Sequence, residues 1–217
     1  MGSNSLRGVL GNVAFRPRWD GDPFGAVHAG WVFEHKLDGF RGLATTGPAP
    51  ALVSRNGLSY AAAFPKIIVA LRRFPVAAML DTELVVVDRT RDSQSERLRR
   101  RAVMGRAGAP ERAAAFEPAS LYAFDVLAIG DHNLRESPLL KRKERLAEIV
   151  DGANRVRFVD HREAHGEALF AKVCQSDFEG IVAKQANSVR KVGRRPEWIK
   201  VKNPNYSRQE ALRFADE

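Results

Sequence analysis

Trp31-Val32-Phe33-Glu34-His35-Lys36-Leu37-Asp38-Gly39-Phe40-Arg41 is the stretch on which the fold turns. Its opening residues are aromatic or β-branched and read as a strand. Asp38-Gly39 is a turn dipeptide, and Phe40 to Thr45 reads as the returning arm of a hairpin. The arrangement sets Lys36 at a strand end beside a tight turn, with the second cation of Arg41 close by. Lys-x-Asp-Gly is only four residues long, and any surface hairpin can hold it. Alone it assigns no chemistry.

Working outward, Leu52-Val53-Ser54 is a short strand ending at the turn dipeptide Asn56-Gly57. Pro65 suits the first turn of a helix, and Phe64, Ile67, Ile68 and Leu71 recur at helical spacing until Pro75. Leu84 to Val87 reads as a buried strand. Leu121 to Ile129 reads as another, with Tyr122, Phe124 and Val126 on one face. Ser137-Pro138 is a cap and first-turn proline opening a helix with Leu139, Leu146, Ile149 and Val150 inward. Glu163 to Cys174 is an amphipathic helix, and Gly180 to Ala183 and Trp198 to Val201 are late strands. The pattern is α+β with much antiparallel pairing and no regular βαβ alternation. Residues 1–30 read as a leader packing on or beside a body of 31–203, with 204–217 as a tail.

The chain has 217 residues, with 35 Lys and Arg against 26 Asp and Glu, a net charge of +9. That imbalance suits a polyanionic partner. Arg97, Arg99, Arg100, Arg101 and Arg106 crowd one stretch, and Arg190, Lys191, Arg194 and Arg195 another. Such density suits contact with a phosphate backbone, which positions a duplex without reading its sequence. Apolar runs are too short to span a bilayer, so no membrane is expected. Cys174 is the only cysteine, which excludes an internal disulfide and a thiolate zinc site. It reads as a buried helical residue, and the cytoplasm fits.

Six short stretches follow in order. They are Lys36-Leu37-Asp38-Gly39-Phe40-Arg41, Ser54-Arg55-Asn56-Gly57, Asp81-Thr82-Glu83-Leu84, Tyr122-Ala123-Phe124-Asp125-Val126, Glu179-Gly180-Ile181-Val182-Ala183-Lys184 and Trp198-Ile199-Lys200-Val201-Lys202. The set resembles the motifs of the covalent nucleotidyltransferases, which include ATP-dependent DNA ligases, RNA ligases and mRNA capping enzymes. Glu34-x-Lys36-x-Asp38-Gly39-Phe40-Arg41 and the stretch from Pro138-Leu139 to Leu146 are most similar to bacterial ATP-dependent DNA ligases.

The resemblance implies an ATP-grasp-like nucleotidyltransferase domain, with antiparallel sheets flanked by helices and the nucleotide between sheets. It implies ATP as cosubstrate, Mg²⁺ or Mn²⁺, and nicked double-stranded DNA as partner, in repair or recombination. Lys36 would attack the α-phosphorus of ATP, expel pyrophosphate and keep AMP as a phosphoramidate. A lysine with a pKa of about 10.4 is mostly protonated at neutral pH, and neighbouring cations favour the neutral form. Arg41, Lys200 and Lys202 are the candidates, and period-two spacing puts both lysines on one strand face. Carboxylates are needed to hold a divalent ion. The resemblance assigns Glu179 to the metal and Glu83 to the ribose or a metal-bound water. It sends Arg41 to the ribose and Arg55 to phosphates, and it counts Lys184 among the nucleotide-binding residues. Phe124 is suited to stack on adenine, and Glu34 to accept from its amino group. Asp38 is expected to bond local amides and support the loop, and His35 to point elsewhere.

Two departures stand out. Thr82 occupies a position usually held by glycine. Only fifteen residues follow Lys202, too few for the oligonucleotide-binding (OB-fold) barrel that closes such enzymes over ATP. Self-adenylylation is therefore expected to be slow, and nick sealing weak unless a separate OB-fold or repair protein supplies the missing part. The competing readings are an RNA ligase, a capping-type enzyme, and a non-catalytic nucleic-acid-binding relic of the fold.

Overall fold

The computed structural model describes residues 30–86, 94–106, 118–190 and 197–207. Strands β1 (Trp31–His35) and β2 (Phe40–Thr45) flank the Asp38-Gly39 turn. They do not form the expected hairpin. Both long edges of each are already taken: β1 lies between β8 (His161–Glu163) and β9 (Gly180–Gln185), and β2 between β3 (Ala51–Ser54) and β4 (Ala78–Val86). The segment between them instead crosses from one sheet to another. Gly39 permits that crossing, because a Cβ there would overlap the Leu84 carbonyl oxygen.

The first sheet runs β10-β9-β1-β8, with β10 spanning Trp198–Lys202. The second runs β3-β2-β4-β5-β6, where β5 is Ala119–Ile129 and β6 His132–Asn133. Pairing is antiparallel except for β7 (Val156–Phe158), which lies parallel to β5.

Four helices accompany the sheets among the described residues: α1 (Pro65–Arg72), α2 (Gln94–Arg106), α3 (Leu139–Val150) and α4 (Gly166–Gln175). Leu169 and Val173 of α4 cover one face of the first sheet, against Phe33, Ile181, Ala183 and Val201. The larger core lies on one face of the second sheet. There Ala44, Leu52, Leu80, Leu84 and Leu121 meet Ile67 and Leu71 of α1, Leu98 of α2, and Leu146 and Val150 of α3. Period-two alternation then leaves each sheet a second face for other work. None of these helices is long and apolar enough to cross a membrane.

Several local expectations are corrected. Tyr122, Phe124 and Val126 do not share a face. The pairing of β5 with β4 shifts register at two places, so that Phe124 and Leu127 have no opposing residue. These are β-bulges, and each flips the alternation that follows. Val126 therefore joins Leu121 and Ala123 in the core, while Phe124 lines a cleft. Pro138 occupies the cap position of α3 rather than its first turn, without a side-chain cap bond. The inward stripe of α3 is Leu139, Arg142, Lys143, Leu146 and Val150, with Ile149 only partly buried. The helix expected from Glu163 starts at Gly166, because Ala164 (φ 61°) and His165 (φ 55°) are left-handed. Cys174 is helical but half-buried, and burial pushes its thiol pKa up.

The first arginine cluster, read as suited to a phosphate backbone, does not present all its side chains outward. Arg97 and Arg101 are buried with Leu98 and Ala102, and Arg101 lies over the Phe64 ring. Arg99 and Arg100 face outward. In the second cluster Arg190 is buried. The leader as far as residue 29, together with Lys191, Arg194, Arg195 and residues 208–217, lies outside the described residues.

Candidate active site

The free faces of the two sheets enclose a cavity of about 400 Å³. Its walls bring together Glu34, Lys36, Arg41, Arg55, Glu83, Phe124, Glu179, Lys184 and Lys200, residues far apart in sequence. Alternation explains the selection. Val32, Glu34 and then Lys36 project from β1 and its continuation, opposite to Phe33, while Val182 and Lys184 of β9 and Trp198 and Lys200 of β10 share that side. A larger groove of about 630 Å³ lies between α1 and the turn after α3. It contains none of the residues selected from the sequence.

Lys36 follows the end of β1, where its amide donates to the Gly180 carbonyl at 2.9 Å. Its side chain is 14% exposed, and its ammonium is ion-paired with the buried Glu179 carboxylate. Lys200 faces the same space. Burial first, and then the charge of Lys36, hold the Lys200 pKa below the ordinary lysine value. Glu83 stands opposite. Burial raises its pKa to about 7 against the opposing pull of Lys36, Arg41 and Lys200. Lys202 shares the strand face of Lys200 by alternation, but it is exposed at the strand end and is not part of the cavity wall.

The floor is a charged network in which sequence reading named Glu34 and Lys184 but not Lys143, nor the pairing. Glu34 is buried with both carboxylate oxygens engaged, Oε1 by Lys143 at 2.7 Å and Oε2 by Lys184 at 2.5 Å. Burial alone raises a carboxyl pKa, but these two lysines outweigh it and hold Glu34 below its ordinary value. Lys143 also donates to the Val159 carbonyl at 3.0 Å. Lys184 sits over the rings of Phe124 and Trp198, 4.6 and 4.1 Å from their centroids. Burial lowers its pKa to about 8, with Glu34 opposing the shift.

Arg41 is not free to swing. It donates two bonds to Asp81, at 3.0 and 2.8 Å, and Arg190 reaches the same carboxylate at 2.8 Å. Burial would raise the Asp81 pKa, yet the two arginines keep it below the ordinary range. Behind this pair, Arg142 bonds Asp125 at 2.7 and 3.0 Å, and donates to the Ser188 carbonyl at 3.0 Å. Arg142 thus fixes the segment that carries Arg190. Arg55 and Arg99 are exposed and stand at the cavity wall. Thr82, the departure from glycine, turns to the opposite sheet face and donates to the Gly42 carbonyl at 2.7 Å. Its side chain does not intrude on the cavity.

Asp38 does not bond local amides as expected. Its partner is the Tyr206 hydroxyl, at 3.3 Å. The ring of His35 lies edge-on to Phe178. Asp81, Arg142 and Lys143 had a readable signal. Arg142 and Lys143 occupy the core-facing stripe begun by Leu139 and Leu146, and buried charges need partners. Arg190 and Tyr206 carried no comparable sequence pattern.

The raised Glu83 pKa gives a pH prediction. Between about pH 4.5 and about pH 7 the folded chain binds more protons at this carboxyl than the unfolded chain does, so this contribution to stability declines as pH rises through that window. In the absence of divalent ions, Glu83→Gln should flatten the pH dependence of the melting temperature there. An unchanged slope would mean that Glu83 does not titrate in that window.

Residues 24–202 match the protein-family model described as ATP dependent DNA ligase domain. The chain is 33% identical over 184 residues to DNA ligase C1 of Mycolicibacterium smegmatis, covering 80% of this chain and 51% of that protein. It is 32% identical over 181 residues to a DNA ligase of Pyrobaculum neutrophilum, covering 79% of this chain and 30% of that protein. Among solved structures it is similar to a mycobacterial DNA ligase D complexed with ATP and MES. The TM-score is 0.64 at 26% identity, over 81% of this chain and 56% of that one. The chain therefore spans from about a third to about half of the length of these relatives.

Proposed function

We propose that this chain, which belongs to the ATP-dependent DNA ligase domain family, takes AMP from ATP onto Lys36 and passes it to the 5′-phosphate of a DNA nick. The observation that carries the assignment is the position of Lys36. Its amine is sequestered in a two-sheet cleft, in contact with Glu179 and facing Lys200 and Glu83.

For attack, the Lys36–Glu179 pair opens and the amine gives up a proton, for which the Glu179 carboxylate is the nearest acceptor. The nitrogen lone pair then forms a bond to the α-phosphorus. The bond from that phosphorus to the bridging oxygen breaks, and pyrophosphate leaves with the electron pair. Lys200 and the more exposed Lys202 offset the charge gathering on the phosphate, which is the kind of help phosphoryl transfer needs. Arg41 lies at the wall for the ribose, its guanidinium held in orientation by Asp81. Phe124 provides the flat apolar surface for adenine, and Glu34, with Lys184 beside it, provides the polar edge of that slot.

Glu83 and Glu179 fit a divalent ion of the magnesium type, which commonly takes one or two carboxylates and completes its shell with substrate phosphates and water. A carboxyl with a pKa near 7 is well suited to exchange its proton for such an ion. When bound, the ion would neutralise phosphate charge. Among the described residues no cluster of three or more His, Cys, Asp or Glu forms a cage, in keeping with a site completed by the nucleotide.

The exposed Arg55 and Arg99 at the cleft wall are proposed to hold the nick's 5′-phosphate and the neighbouring backbone. A cytoplasmic location is part of the same proposal, supported by the net positive charge and the single cysteine of the chain. The test is incubation with α-labelled ATP or GTP, followed by nicked DNA or nicked RNA. ATP labelling that resists alkali, is lost in acid and chases onto nicked DNA is expected. Preferential GTP labelling, or transfer only to RNA, would move the chain to the capping enzymes or RNA ligases.

A further inference from the structure

Residues 204–207 fall in the stretch that sequence reading assigned to a tail, yet they are packed against the loop that carries the nucleophile. Immediately after β10, the Asn203 amide donates to the Glu179 carbonyl at 2.9 Å, and Asn203 Nδ2 donates to the Phe178 carbonyl at 3.1 Å. Asn203 Oδ1 accepts from the Asn205 amide at 2.9 Å, which turns the chain back. The turn aims Tyr206, only 5% exposed, at the nucleophile loop, where its hydroxyl donates to the buried Asp38. Ser207 then closes the segment on Asp177, its amide donating at 2.9 Å and its hydroxyl at 2.5 Å.

Lys36 and Glu179 lie between these attachments. The Lys36 backbone is bonded to Gly180, the residue after Glu179, and Asp38 lies two residues after Lys36. One short segment thus grips both arms of the Lys36–Glu179 pair: the 177–179 arm through Asn203 and Ser207, and the 36–38 arm through Tyr206. The side chains of that pair must separate for the amine to attack; the β1–β9 ladder and the Lys36–Gly180 bond hold the backbones as far as Lys36, and the Tyr206–Asp38 contact holds the loop just beyond it. A misplacement of about 1 Å of a reacting group can reduce rate by about a hundredfold.

We propose that residues 203–207 form a strap that holds the nucleophile loop in place during adenylylation, with Tyr206 acting as a positioning residue through Asp38. This rests on the assignment of Lys36 as nucleophile. Tyr206 does not line the cleft. It fixes the loop from which Lys36 projects.

The consequence is a separable effect on rate. Tyr206→Phe removes one hydroxyl and keeps the packed ring, so the fold should survive with a small loss in melting temperature. The rate constant for self-adenylylation at saturating ATP should drop about fivefold to tenfold, the range expected for one lost hydrogen bond, with the ATP concentration for half-saturation unchanged. Hydrogen exchange, measured without nucleotide, should speed up at the amides of residues 36–41 and 177–180 and stay unchanged in α3. Asp38→Ala combined with Tyr206→Phe should be no slower than the slower single variant, because both break the same link.

Unchanged exchange at those amides in Tyr206→Phe would overturn the strap, whatever the activity. Accelerated exchange with an undiminished rate constant, or a loss confined to half-saturation, would overturn its role in positioning. Fully additive losses in the double variant would show that Tyr206 does not act through Asp38. Failure of the wild type to label at all would instead remove the nucleophile assignment, and with it this role, while the exchange result would still report on the strap itself.

Discussion

Lys36→Ala should bring AMP labelling down by roughly a thousandfold or more, to the level of a protein without a nucleophile, because no other amine in the cleft is placed to form the phosphoramidate. Lys184 and Lys200 are the other lysines in the cleft, and neither is placed to substitute. Lys184 is held on Glu34 and enclosed by Phe124 and Trp198, whereas Lys200 projects from β10, across β9 from Glu34, and the ion pair with Glu179 belongs to Lys36. Folding should be little affected, since the Lys36 side chain keeps 14% exposure and water entering the emptied space can reach the Glu179 carboxylate. The leftover Glu179 carboxylate can recruit a cation or a proton. A melting temperature close to wild type with labelling abolished is the expected combination, read by labelled ATP and a thermal melt on the same preparation.

Arg142→Ala should have the largest effect on stability. The guanidinium is 1% exposed and satisfies both oxygens of Asp125, itself wholly buried, as well as two backbone carbonyls, of Ser137 and Ser188. Removing one partner of a buried pair leaves an uncompensated charge and costs about 3–5 kcal/mol. For a domain of this size each kcal/mol moves the melting temperature by about 2–4 °C, so a fall of about 6–20 °C is expected. The loss should reach the active site, because the Ser188 contact anchors the segment from which Arg190 reaches Asp81, and Asp81 orients Arg41. Arg142→Lys should recover part of the stability, since one ammonium replaces a planar fork that served three acceptor groups. A melt unchanged in Arg142→Ala would show that Asp125 finds another partner.

Most strands and helices were readable because period and turn chemistry are local. The lysine of Lys-x-Asp-Gly, the Glu83 and Glu179 carboxylates and the Phe124 ring were all quotable from short motifs, and the structure gathers them around one cleft. What escaped was non-local. Whether β1 pairs with β2 depends on competition from β8, β9, β3 and β4, which no window around Asp38-Gly39 contains. The two bulges in β5 reverse which residues of that strand face the cleft, and a period-two reading cannot see an inserted residue. Arg97 and Arg101 read as part of a phosphate-contacting cluster, but they lie on the side of the helix that Leu98 and Ala102 bury.

The charged floor was partly legible. Arg142 and Lys143 stand where an apolar stripe should continue, which is a local conflict of the kind that marks functional sites. Their partners, Asp125 and Glu34, are 17 and 109 residues away, and only the folded chain identifies them. The same holds for Tyr206 and Asp38, separated by 168 residues. Buried ion pairs of this type are weak evidence for stability taken as a whole. Their concentration behind one cleft suits the proposed nucleotide site, where charged groups must be held in place.

The most direct test is to incubate the wild-type protein with ATP and Mg²⁺, digest it, and locate the adduct by mass spectrometry under conditions that keep acid-labile bonds intact. A single AMP on the peptide carrying Lys36, absent after brief acid treatment, is the predicted result. AMP attached to Lys184, Lys200 or any other side chain, with Lys36 unmodified, would contradict the account.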